Sequence, residues 1–106
     1  MSKYLFQASY TQQGLKGLLK EGGTSRRSTV EQLARGMGGS IEAFYYAFGD
    51  ADVYVIADMP DEATATALSL AIGATGSVSL KTTVLITPET VDEAVKKTVD
   101  YRAPGA

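Results

Sequence analysis

Between Ser40 and Asp58 the chain carries two runs of strand-forming residues, and only Gly49-Asp50-Ala51 separates them. A link this short, built from turn residues, leaves the flanking strands one geometry, an antiparallel hairpin. The first strand is expected from about Ser40 to Phe48 and the second from Asp52 to Asp58. The middle of the chain is therefore sheet, and the other elements must be arranged around it. The same stretch gathers Asp50, Asp52 and Asp58 near Tyr45, Tyr46 and Tyr54, so it is also the first place to look for chemistry.

Upstream, "KYLFQASY" at 3–10 reads as a strand. Thr11 then suits a helix N-cap, followed by an apolar stripe of Leu15, Leu18 and Leu19 that ends at "EGG". A second helical segment is expected from Ser28, where Ser28 and Glu31 fit a capping box, with Val30, Leu33, Ala34 and Met37 on one face. Downstream, Pro60 suits the first turn of a helix over about 60–74, and its stripe of Ala63, Ala67, Leu70, Ala71 and Ala74 is expected to lie on the sheet. Near-perfect alternation at Val78, Leu80, Thr82 and Val84 predicts another strand over 77–86, and Thr87-Pro88-Glu89 opens a last helix through about Val99. The order is β-α-β-β-α-β plus a final helix, an α+β arrangement of the ferredoxin-like kind. With 106 residues the chain is one domain, its tail from about 100 to 106 extended.

The hairpin does not alternate cleanly between apolar and polar residues. Ile41, Ala43, Tyr45 and Ala47 are expected to face the helices. Phe44, Tyr46, Phe48, Tyr54 and Ile56 would then lie on the other face. Together they present an apolar patch on the order of several hundred Å², more than a monomer usually exposes, so pairing of two copies sheet to sheet is expected. The partner so implied is a second copy of the chain.

The sequence has no cysteine and no histidine. Disulfides, thiol nucleophiles, Ser-His and Cys-His dyads and His-ligated metals are excluded together, and zinc loses its preferred ligands. No cofactor and no metal are expected. A net charge of −2 with an isoelectric point near 5.0 gives no basic excess to neutralise a nucleic-acid backbone. No apolar stretch is long enough to span a bilayer and the N-terminus lacks a signal-peptide core, so no membrane partner is expected and the cytoplasm is the expected location.

Three stretches, "YLFQASYTQQGLKGLLKEGGTSRR", "LARGMGGSIEAFYYAFGDADVYVIADMPD" and "TTVLITPETVDEAVKKTVDYRAPG", together resemble the GYD domain family, small bacterial proteins grouped with the dimeric α/β-barrel proteins. The most specific pieces are Tyr10-Thr11-x-x-Gly14, Gly38-Gly39, the hairpin turn and Tyr101-Arg102-x-Pro104-Gly105. The resemblance implies a ferredoxin-like fold of dimeric α/β-barrel type and supplies no reaction. In the family's name-giving turn, Gly49 and Asp52 match, whereas Ala51 stands where the family has tyrosine.

The candidate catalytic residues are Asp52, Asp50 and Tyr54. General-base chemistry from a carboxylate requires an enclosed site that disfavours its charge. Against this, Gly49 and the aspartates are ordinary turn residues, glycine supplying a positive φ and Asp bonding to turn amides. Arg26, in the basic cluster Thr24-Ser25-Arg26-Arg27 ahead of the second helical segment, is the candidate anion clamp, and the resemblance matches it to an arginine of the family. Tyr10, Tyr46 and Tyr54 are the candidate aromatic walls of a ligand pocket. Two functions remain open. One is a non-catalytic homo-oligomeric module binding a small organic molecule or a protein. The other is a cofactor-independent monooxygenase, isomerase or decarboxylase on a small organic substrate, with Asp52 as base.

Overall fold

The computed structural model describes residues 1–106 as four strands and four helices. In chain order they are β1 (Ser2–Tyr10), α1 (Gln12–Glu21), α2 (Gly23–Gly36), β2 (Ser40–Tyr46), β3 (Val53–Met59), α3 (Glu62–Gly73), β4 (Val78–Leu85) and α4 (Pro88–Val95). The strands form one antiparallel sheet in the order β2-β3-β1-β4, the α+β ferredoxin-like arrangement expected.

Helix starts follow cap chemistry. Thr11 Oγ1 accepts the Gly14 amide at 3.2 Å, Asp61 Oδ1 accepts the Thr64 amide at 2.7 Å, and Thr87 Oγ1 accepts the Thr90 amide at 3.2 Å. Hydrogen bonding from Thr64 also holds the Asp61 carboxyl below its ordinary value. Pro60 stands outside α3, and Asp61 is the cap. The second helical segment begins at Gly23 and not at Ser28. Gly22, at φ 84°, turns the chain between α1 and α2, and α2 restarts at once. Thr24, Ser25, Arg26 and Arg27 therefore belong to the first turns of α2 and do not precede it.

The core lies between the helices and one face of the sheet. Tyr4 and Phe6 of β1 and Val53, Val55, Ala57 and Met59 of β3 are buried with Ala65 and Leu68 of α3. The packed stripe of α3 runs Ala65, Leu68 and Ile72, so the expected stripe of Ala63, Ala67, Leu70, Ala71 and Ala74 points outward instead. In a helix apolar nearly all round, hydrophobic spacing does not say which side packs.

The face assignment holds for β3 and is overturned for β2. Ile41 pairs with Ala57, but Ala43 pairs with Ile56, so Glu42 is an extra residue in β2. This β-bulge reverses the alternation after Ile41. Phe44 and Tyr46 consequently lie over Val55 and Val53 on the helix side, and Ala43 and Tyr45 turn to the bare side. Phe44, Tyr46 and Phe48 form a continuous aromatic row, with ring centroids 5.4 and 6.0 Å apart.

The sheet face without helices carries Leu5, Ala43, Tyr45, Tyr54, Ile56 and Leu85. At one end Lys3 Nζ meets Glu42 at 2.8 Å and Asp58 at 3.0 Å. Hydrogen bonds to these two carboxylates raise the pKa of Lys3. No residue from Ile86 to Ala106 is buried. α4 and the tail project from the end of β4, and the molecule extends 57 × 33 × 22 Å.

Candidate functional site

The hairpin turn is held by backbone bonds. The Ala47 amide donates to Asp52 O at 2.9 Å, and the Gly49 amide donates to Ala51 O at 3.1 Å. The expected positive φ falls on Phe48, at 57°, and not on Gly49. Ala51 is buried, so the position at which the family resemblance puts a tyrosine here fills space inside the turn with a methyl group.

Asp52 joins this turn to β1 by two bonds. Its amide donates to Ala8 O at 2.8 Å, and its Oδ2 accepts the Tyr10 amide at 2.8 Å. A carboxylate accepting a backbone amide satisfies a donor just beyond the sheet ladder, a structural task. Asp50 is exposed at the tip of the turn. Tyr54 is half-buried on the bare face, so alternation separates it from Tyr10 and Tyr46.

Arg26, Tyr10 and Tyr46 do lie on a common side. The Tyr46 phenol donates to Gly23 O at 3.0 Å, against the first residue of α2. Burial first, and the neighbouring Tyr10 phenol second, push the Tyr46 pKa up to about 12. At neutral pH Tyr46 is a hydrogen-bond donor and not a base.

Between α2 and α3 the helices leave part of the sheet uncovered. The resulting cleft has Phe6, Phe44, Val55 and Leu80 on its floor, with Val30 on one wall and Leu68 and Ile72 on the other. Its volume is ≈ 70 Å³, room for more than a water molecule, and its apolar lining gives water few partners. Arg26 is the one charged residue lining it. A wider, polar groove of ≈ 360 Å³ adjoins it, bounded by α1 and the start of β4. Tyr10, Arg26, Ile72 and Val78 line both spaces, so Arg26 stands where the apolar chamber opens into the polar groove. Glu21 approaches Arg26 at 3.6 Å, an exposed and therefore weak pair that leaves guanidinium donors free.

Sequence reasoning missed the apolar walls, although their signal is present. Arg26 and Val30 are four residues apart on α2, and Leu68 and Ile72 are four apart on α3, so each pair shares a helix face. No group of acidic side chains is arranged to hold a metal ion.

Two of the most specific sequence pieces, Tyr10-Thr11-x-x-Gly14 and Gly38-Gly39, make close structural contacts. A Cβ on Gly14 would collide with the Ser77 carbonyl, and one on Gly39 with the Asp58 carbonyl. Thr11 donates from its amide to Ser77 O at 2.9 Å and from its hydroxyl to Gly76 O at 2.8 Å. No helix is long and apolar enough to cross a membrane. Comparison with curated proteins and with solved structures gives no match. The family model described as GYD domain matches residues 4–95, and the chain belongs to the GYD domain family.

Proposed function

We propose that this protein is a non-catalytic, homo-oligomeric binding module whose cleft between α2, α3 and the sheet takes a small organic anion. The observation that carries this is the single guanidinium of Arg26 at the junction of an apolar chamber and a polar groove. A ligand with a flat or branched hydrocarbon body and one carboxylate or sulfonate matches both halves. The body displaces poorly bound water, and the head gains charge-assisted bonds to Arg26. Tyr10 lines the same junction and adds a phenol.

Cofactor-independent catalysis with Asp52 as base has less support. The Asp52 carboxylate is engaged by the Tyr10 amide, and Tyr54, the proposed donor, lies across the sheet from the cleft. Self-association is supported by the apolar residues of the bare sheet face, with Leu5, Tyr54 and Ile56 at its centre.

The test is a calorimetric titration with benzenesulfonate and with the neutral benzenesulfonamide, single-ring compounds in keeping with the small chamber. Arg26→Gln should weaken the sulfonate about 10- to 100-fold and leave the neutral compound unchanged, the loss expected for one hydrogen bond to a charged group. Equal sulfonate affinity for both proteins would rule the cleft out as an anion site.

A further inference from the structure

The C-terminal segment is a second unpartnered surface, separate from the cleft. Ile86, Val91, Val95, Val99 and Tyr101 are 65%, 45%, 76%, 78% and 72% exposed. Every hydrogen bond of residues 87–106 is local to that segment. α4 has eight residues, and isolated helices below roughly 12–15 residues are marginal in water. A helix this short needs packing to persist, and its own chain buries none of it. The radius of gyration, 17.1 Å, exceeds the roughly 13 Å of a compact chain of this length, as a projecting arm requires.

We propose that residues 86–101 are an exchange arm that packs the Val91 and Val95 side of α4, with Val99 and Tyr101 beyond the helix, on a second copy of this chain. The inference rests on the homo-oligomeric half of the function proposed above. Several observations favour a second copy over an unrelated partner. The bulge at Glu42 exchanges Phe44 and Tyr46 on the bare sheet face for Ala43 and Tyr45, so that face carries fewer aromatic rings than the sequence suggests. Its remaining apolar residues are also bordered by the charged cluster of Lys3, Glu42 and Asp58. Leu85, beside Lys3 on the bare face, is followed directly by Ile86, so the arm continues from the edge of that face. Two-fold pairing then uses both surfaces at once, each copy lending its arm and receiving one. Two arms add the exposed side chains of Ile86, Val91, Val95, Val99 and Tyr101 twice over to the apolar area of the bare faces. A stable interface buries roughly 1,200–2,000 Å² in total, so the added area favours pairing.

Light scattering after size exclusion, at micromolar concentration, tests this with the full chain, a chain ending at Thr87, and the double variant Val91→Asp/Val95→Asp. The full chain should have the mass of two copies. The other two should dissociate at least 100-fold more readily while keeping the circular dichroism of a folded sheet. If the shortened chain does not fold, the double variant, which alters only exposed positions, decides. A dimer of unchanged affinity in the double variant overturns the arm and leaves self-association standing. A full chain with the mass of one copy overturns both.

Discussion

Asp52 accepts the Tyr10 amide at 2.8 Å and so ties the hairpin turn to the end of β1. Asp52→Ala leaves that amide without its partner and should cost about 1–3 kcal/mol in a urea denaturation. Asp52→Asn, which keeps one acceptor oxygen, should cost less. A base would show the opposite pattern, with little loss of stability in either variant. Tyr46 carries a second prediction. Its pKa is raised from 10.0 to about 12 in the fold, so the folded state holds the phenolic proton more tightly than the unfolded chain. The stabilisation is complete below pH 10 and is lost as the pH rises from 10 through 12. Its size is on the order of 1–2 kcal/mol after allowance for the partial exposure of the ring. Tyr46→Phe should lose about 1 kcal/mol at pH 7 with the bond to Gly23 O, and its stability should fall less between pH 10 and 12. Thermal melts across that pH range check both statements.

At the scale of elements, Glu42 decides which residues the helices cover. Deleting Glu42 removes the bulge and would turn either Phe44 and Tyr46 or Ile41 to the bare face. A chain that still unfolds cooperatively at the original midpoint would contradict this role. The two glycines of α1 give a sharper pair. Gly14→Ala drives a methyl into the Ser77 carbonyl and should destabilise by about 1–3 kcal/mol. Gly17→Ala meets open space and should stabilise by about 0.5–1 kcal/mol, seen as a higher melting temperature. The strands, their pairing and most helices were legible because caps, turns and alternation are local signals, as at Thr11 and in Val53-Tyr54-Val55. Three features were not. The bulge adds one residue without glycine or proline to mark it. α3 is apolar on both sides, so only the contacts of Ala65 and Leu68 reveal its packed face. The restart of α2 at Gly23 follows from the φ of Gly22, which the better capping pattern at Ser28 concealed. For the candidate site, Arg26, Tyr10 and Tyr46 were legible as residues. Their grouping without Tyr54 depends on the strand parity that the bulge sets.

On the scale of the whole molecule, the helix-covered side and the bare side offer different surfaces. The first holds an apolar cleft with one guanidinium at its mouth, and the second joins a projecting arm in leaving apolar surface exposed. Eleven of 106 residues are buried within one copy, a small core that pairing would enlarge. The central claim is that two copies complete the fold while each keeps its cleft for an organic anion. Native mass spectrometry of the untreated protein, with Arg26→Gln alongside, tests it most directly. The predicted result is an even number of 11.2 kDa chains carrying a small acidic adduct, with the variant at the same chain number and without the adduct. A single chain with no adduct would contradict it.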